Sequence, residues 1–288
     1  MRTRLSTKRG LLTKAGRRKL WGRAGLYASV AVLVSPALLV FFWMLSLSLK
    51  NEVDNTAYPP VFIPNPPTLD NFIAVFAKND FVTYGLNSIK VSFTATGLAL
   101  LIGVPAGYGI AKARAKRAAL LILIARITPG LSYLIPLFLL FQWLELTGTL
   151  VPIIVAHLVI TIPIVVWIMI GFFEGLPPDL EEAALVDGAT IWQAFLYVAM
   201  PLARPGITVA LILAFIFSWN NFIFGVVLAG RTTRTLPVAV YNVLTFEQLS
   251  WGPLAAAALL VTLPVLLLTL LMQKEIVAGL TAGGVKGG

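Results

Sequence analysis

Apolar residues along this chain come in long blocks rather than in alternating faces. A helix crossing about 30 Å of hydrocarbon needs about 20 mostly apolar residues. Six blocks meet that length: Leu26–Leu49, Tyr84–Ala111, Ala118–Gln142, Val151–Phe173, Pro205–Ala229 and Leu254–Gln273. Inside lipid every backbone amide must be satisfied within the segment, so the blocks are expected as helices. The predicted fold class is all-α, a polytopic membrane protein with six transmembrane helices. Pro105, Pro129, Pro136, Pro163 and Pro264 fall inside blocks. Each removes one helical hydrogen bond, and a kink is expected at each.

The connections differ in character. Residues 50–83 are rich in proline and asparagine, and a short surface helix is expected over about Leu69–Ala77, starting at Thr68 or Asp70. Residues 143–150 form a brief turn. Residues 230–253 form a second loop, with Tyr241 and Trp251 as interface anchors.

Composition supports a membrane protein. Of 288 residues, 58% are hydrophobic and 12% charged, whereas soluble domains run near 45–50% apolar and about 25% charged. With no cysteine and one histidine, His157, the chain has no disulfide, thiolate or multi-histidine metal chemistry. The net charge of +10 and pI near 10 would suggest nucleic acid in a soluble protein. Here the basic residues report orientation. Arg2, Arg4, Lys8, Arg9, Lys14, Arg17, Arg18, Lys19 and Arg23 precede the first block. Lys112, Arg114, Lys116 and Arg117 join the second to the third, Arg204 lies between the fourth and fifth, and Lys274 and Lys286 follow the last. The opposite connections carry only Lys50, Lys78, Arg231 and Arg234. The excess of positive charge on one side places both termini in the cytoplasm and suits contact with anionic lipid rather than nucleic acid. The first block is too long for a signal-peptide core and no A-x-A-like site follows it, so it is expected to be an uncleaved span. The organisation is a basic cytoplasmic segment 1–25, a six-helix domain 26–273 and a cytoplasmic tail 274–288.

The loop 174–204 holds five of the twelve acids: Glu174, Asp179, Glu181, Glu182 and Asp187. Pro177 and Pro178 stop the preceding span. Asp179 with Glu182 has the spacing of a capping box, opening a helix over Leu180–Val186. Gly188 breaks it, where a positive φ costs glycine little. Thr190 with Gln193 forms a second capping box for a helix through Ala199, ended by Pro201. One reading is a solvated helical hairpin. The other is a docking knob, since Ala183 and Ala184 permit close approach and Leu180, Val186, Ile191, Trp192 and Phe195 exceed what a free loop needs.

At these residues the sequence resembles a known family. Glu182-Ala183-Ala184, three residues, Gly188, nine residues, then Val198-Ala199-Met200-Pro201 resembles the EAA motif of ABC importer permeases, EAA-x3-G-x9-I-x-L-P, with Val for Ile and Met for Leu. The stretch Glu182–Ala189 with Pro201-Leu202 and Pro205, and the tail Gly279–Gly287, are similar to the maltose-type second permease of the carbohydrate branch. Asn71-Phe72, Asn87-Ser88 and Trp219-Asn220 also resemble that branch, so the likeness runs from the first span onward. It implies an ABC type I importer permease fold in a bacterial inner membrane. It implies partners too: a second related permease, two ATPase subunits that bind Mg-ATP, and an extracytoplasmic solute-binding protein. Carried over residue by residue, Glu182, Ala183, Ala184, Asp187, Gly188 and Pro201 belong to the ATPase-coupling surface, and Thr281, Gly283, Gly284 and Lys286 to a C-terminal ATPase contact. The chain itself needs no cofactor and is not expected to be an enzyme. Gly279 and Gly284 have the first spacing of a phosphate loop, but Val285 stands where its lysine is required.

Polar residues inside spans are the candidates for a solute path. Lys90 sits near the outer end of its span and snorkelling explains it. Arg126 lies deeper and is expected to pair with a carbonyl or acid, or to line the path. His157 suits an interhelical hydrogen bond. Ser218, Trp219, Asn220 and Asn221 are the densest cluster. Amides and an indole suit a sugar, whose hydroxyls need donors and acceptors and whose apolar face stacks on a ring. The same groups also suit bonds between helices. The expected function is a permease for a sugar or sugar-like solute. The alternatives are a polyol, glycerol phosphate or sulfosugar permease of the same family, and an ion-coupled secondary transporter. The last would require intramembrane acids, and none lies in the six blocks. A membrane enzyme is a further rival, and the absence of Cys and of a His/acid cluster argues against it.

Overall fold

The computed structural model describes residues 14–78, 80–243 and 250–274, and every regular element among them is helical. Chain order gives α1 (Lys14–Ser48), α2 (Glu52–Asn55), α3 (Asp70–Lys78), α4 (Phe81–Lys112), α5 (Lys116–Ile127), α6 (Leu134–Trp143) and α7 (Val151–Glu174). There follow α8 (Pro178–Val186), α9 (Ile191–Ala194), α10 (Met200–Leu202), α11 (Arg204–Trp219), α12 (Ile223–Leu228), α13 (Leu236–Val243) and α14 (Trp251–Leu271). Four helices are individually long and apolar enough to cross a bilayer: Trp21–Ser48 within α1, α4, α7 and α14. Two bent pairs, Lys116–Ile127 with Gly130–Trp143 and Ile191–Leu202 with Arg204–Trp219, raise the number to six if each counts as one span.

A kink was expected at Pro129, and the break there is complete. The third block is two helices meeting at 90°. Thr128 precedes a proline and is held extended at ψ 125°, Pro129 has no amide to donate, and the chain restarts as a 3-10 turn over Gly130–Tyr133. Each half is too short to cross alone. The fifth block also breaks: α11 stops at Trp219 and α12 resumes at Ile223. Asn221 accepts from the Phe224 amide with its own Oδ1 at 3.2 Å, a local bond that competes with a continuous helix. By contrast α4, α7 and α14 continue through Pro105, Pro163 and Pro264.

The core is centred on α4, α7 and α11. Ala95, Ala99, Gly103 and Gly107 form a buried stripe on α4 at four-residue spacing. A Cβ built on Gly103 would lie 2.7 Å from Val165 Cγ1, and one on Gly107 would lie 2.6 Å from Met169 Cβ. Between apolar helices in lipid the hydrophobic effect is weak, and such close packing of small residues supplies the attraction. The Gly103-x3-Gly107 spacing is the trace of this contact in the local sequence.

At one end of the bundle the loops are clasped by polar groups. Asn71, in the expected surface helix α3, donates from Nδ2 to the carbonyls of Ser48 and Lys50 at 3.0 and 2.7 Å, closing the end of α1. Lys50 is buried: Nζ donates to the Val61 carbonyl at 2.7 Å and lies 4.6 Å from the Trp43 ring centroid. Burial pushes its pKa down, and Asp54 pulls the other way. Glu52 accepts from the amides of Trp251 and Gly252 at 2.9 and 3.3 Å, capping α14 from a distant point in sequence. Asn87 donates to the carbonyls of Thr232 and Arg234, and Ser88 accepts from the Leu236 amide, so α4 holds the chain entering α13. Neither α2 nor α13 was expected, being too short for a periodic signal.

Candidate functional site

The loop between α7 and α11 carries the coupling candidates. Its first helix opens at Pro178, with Pro177 extended before it. Proline suits the first helical position because no intrahelical bond needs its missing amide. Asp179 is therefore inside the helix rather than at its cap, which corrects the first capping box. Asp179 and Glu181 still lie in the first turn, where carboxylates favour the exposed amide ends. The helix ends as expected at Gly188, φ +89°. The Gly188 amide donates to the Leu185 carbonyl at 3.1 Å, and that of Ala189 to Ala184 at 2.9 Å. This is the paired-bond ending that glycine favours. A Cβ on Gly188 would meet nothing within 4 Å, so conformation, not space within this chain, selects glycine.

The second capping box is present. The Gln193 amide donates to Thr190 Oγ1 at 3.3 Å, and the Thr190 amide to Gln193 Oε1 at 2.7 Å. Pro201 does not end the helix, contrary to expectation. A wide π turn over Phe195–Ala199, in which the Met200 amide reaches back to the Phe195 carbonyl, shifts the register before the proline, and α10 carries the chain past it.

Glu182, Ala183, Asp187, Gly188 and Pro201 are exposed, and Ala184 is half-buried. Leu180, Ile191, Val186 at 88% and Trp192 at 66% are exposed apolar side chains around them. Phe195 is a correction. It is 3% exposed and packs with Tyr108 and Phe173 at centroid distances of 4.7 and 6.3 Å.

Glu181 is the residue that sequence reasoning missed. Its side chain is 6% exposed, while that of its neighbour Glu182 faces out. Tyr108 Oη donates to Glu181 Oε2 at 2.8 Å, and Lys112 Nζ lies 2.9 Å from the same oxygen. This is the only ion pair among the described residues. The signal was Tyr108 and Lys112 one turn apart on α4, but nothing local links them to residue 181. Beside the pair, a cavity of about 780 Å³ opens between the α4–α5 and α7–α8 turns, lined by Arg114, Lys116, Glu174, Glu181 and Glu182 among others.

The solute-path candidates separate. His157 Nδ1 lies 2.8 Å from Ser218 Oγ, tying α7 to α11, with both side chains buried. Trp219 does not present its indole to a path. It is 3% exposed, its Nε1 donates to the Val261 carbonyl of α14 at 2.9 Å, and its ring stacks on Phe215. Asn220 is exposed and, with Asn221, Ile216, Phe217, Phe222 and Ile223, lines an open cleft of about 450 Å³. Arg126 is exposed and has no acidic partner among the described residues. It lines a cavity of about 270 Å³ at the bend of the α5–α6 pair, with Thr128, Gly130, Tyr133 and Ile160. Lys90 is exposed. Thr281, Gly283, Gly284 and Lys286 lie outside the described residues. Among the described residues no group of three His, Asp or Glu could hold a metal ion.

The fold is an all-helical bundle with broken spans and a helical hairpin bearing the Glu-Ala-Ala and glycine pattern. Residues 99–279 match the family described as "Binding-protein-dependent transport system inner membrane component", and the chain belongs to that family. The sulfoquinovosyl glycerol transport system permease protein SmoH of Agrobacterium fabrum is 33% identical over 270 residues, covering 92% of this chain and 95% of that protein. The trehalose transport system permease protein SugB of Mycobacterium tuberculosis is 36% identical over 262 residues, 89% and 95% of the two chains. Among solved structures, a bacterial ABC transporter involved in import of the acidic polysaccharide alginate has a chain of the same fold, with TM-score 0.74, 21% identity and coverage of 91% and 98%. This chain is thus a multi-pass membrane permease of the ABC importer class.

Proposed function

We propose that this chain is one of two related permease subunits in an importer that moves a carbohydrate delivered by an extracytoplasmic binding protein. Two partner ATPase subunits drive it with Mg-ATP. Relatives named for trehalose, diacetylchitobiose and arabinooligosaccharide transport support the solute class. A solved alginate importer in complex with its substrate-bound periplasmic protein supports the delivery partner. In this reading both termini and the α8–α9 loop face the cytoplasm, and the loop docks on an ATPase subunit.

The observation that carries the docking assignment is the construction of the loop. Its outer surface carries exposed Val186, Ile191, Trp192 and Ala183 together with the acids Glu182 and Asp187, while its inner surface is fixed by Phe195 and Glu181. A free surface hairpin has no need of such an outer face, whereas a cleft-filling contact does. The test is Gly188→Val and Glu182→Lys in the reconstituted complex. The first forces a φ of +89° on a β-branched residue at about 1–2 kcal/mol, and the second reverses an exposed charge. Both are expected to leave the spans inserted but to lower ATPase retention in pull-down, solute-stimulated hydrolysis and transport. Wild-type values in all three would return the loop to a solvated hairpin.

A second reading concerns the solute's charge. Arg126 stands without an acid at the bend of the α5–α6 pair, and the relative SmoH is named for a sulfoquinovosyl glycerol. An anionic sugar derivative fits that cation, and competition between neutral and anionic sugars for uptake separates the two.

A further inference from the structure

We propose that Glu181 is a positioning residue that locks α8 to the end of α4, making the α8–α9 loop and the α4–α7 pair one mechanical unit. The proposal rests on the docking role of the loop argued above. Glu181 and Glu182 are adjacent, and the 100° step of a helix points them to different sides. Glu182 faces outward, whereas Glu181 turns inward to Tyr108 and Lys112. Those two donors are one turn apart on α4, so a single carboxylate oxygen is gripped by two points of one rigid helix.

What the grip controls follows from the connections around it. The covalent link from α7 to α8 is the short non-helical hinge Gly175-Leu176-Pro177. A push on α8 would then be lost in that hinge. The Glu181 contacts bypass it. Tyr108 also packs edge-on against Phe173 of α7 at 5.3 Å and against Phe195 of the π turn at 4.7 Å. One side chain thereby joins α4, α7 and both halves of the loop. One position before it, Gly107 lies directly against Met169 of α7. Displacement of α8 therefore passes through Glu181 into two helices already packed backbone to backbone. Lys112 is 43% exposed, which leaves the ion pair open to water on one side and the Tyr108 bond enclosed.

The test uses the whole importer in proteoliposomes, with Glu181→Ala, Glu181→Gln and the exchange of Glu181→Lys with Lys112→Glu. The readouts are ATPase retained in pull-down, hydrolysis rate, and solute moved per ATP hydrolysed by assembled complex. Glu181→Ala is expected to keep the ATPase bound and hydrolysing while transport per ATP falls about fivefold or more, within the usual range of coupling between sites. Glu181→Gln keeps an acceptor for Tyr108 and falls between Ala and wild type. The exchange recovers at least half of the lost ratio, which a merely structural loss would not do. Wild-type transport per ATP in Glu181→Ala, or an exchange no better than the worse single variant, overturns the proposal. Loss of the ATPase from Glu181→Ala also overturns it, since the residue would then be part of the docking contact. Failure of the docking reading is separate: it shows as ATPase retained, active and coupled in Gly188→Val and Glu182→Lys.

Discussion

Asn220 and Asn221 sit side by side where α11 breaks, but of the two side chains only that of Asn221 makes a hydrogen bond among the described residues. Asn221 Oδ1 caps the amide of Phe224, whereas the Asn220 side chain is exposed at the cleft. Asn221→Ala is therefore expected to destabilise the protein by about 1 kcal/mol, the usual cost of a lost cap. Asn220→Ala is expected to change the apparent affinity for solute and leave thermal stability in detergent unchanged. Equal stability losses would make both residues structural. Polar residues flagged from sequence have thus divided by partner. The chemistry of Ser218, Trp219 and His157 was legible, but their engagement with one another and with Val261 depends on residues far along the chain. The pairs Asn71-Phe72 and Asn87-Ser88, which resembled the carbohydrate branch, fasten loops here. Asn71 closes α1, and Asn87 with Ser88 holds the entry to α13.

At the scale of elements, local sequence guided several features set by near neighbours, although it misplaced the cap at Asp179. The second capping box, the positive φ of Gly188 and the surface helix at Asp70 all follow from neighbours within four residues. The five prolines were not separable by such reasoning. Pro129 breaks its span because Thr128 before it is extended and a 3-10 turn begins at Gly130 directly after it. Pro201 is absorbed by a π turn that no short pattern announces. Packing between helices was equally hidden. The α4–α7 contact rests on Gly103 and Gly107, whose spacing alone does not name a partner. Gly107→Leu is expected to overpack that contact by about 1–3 kcal/mol. The measurement is the fraction of chain surviving a heating series in detergent, with Gly109→Leu as control, since nothing lies within 4 Å of a Cβ there. Equal survival of the two would remove the close approach as a source of stability.

For the whole molecule the question is which side of the membrane each loop faces. The helices fix only relative sides. Residues 112–116 and the α8–α9 loop lie together, joined by Lys112 and Glu181. The clasps at Asn71, Glu52 and Asn87 gather residues 49–78, 230–243 and 250–252 elsewhere. Absolute orientation then comes from charge. Lys112, Arg114, Lys116 and Arg117 crowd the first group within six residues, whereas Lys50, Lys78, Arg231 and Arg234 are spread over the second, and Lys50 is engaged by Val61 and Trp43. Retention of basic residues on the cytoplasmic side is the ground on which we propose that the first group faces the cytoplasm. The chain has no cysteine, so single cysteines at exposed Lys116 and Asn65 give a clean readout. An impermeant thiol reagent on intact cells is expected to label position 65 and leave position 116 untouched until the membrane is opened. Labelling of 116 but not 65 would invert the protein. The loop proposed to meet the ATPase would then face outward, and the docking reading and the Glu181 lock would fall together.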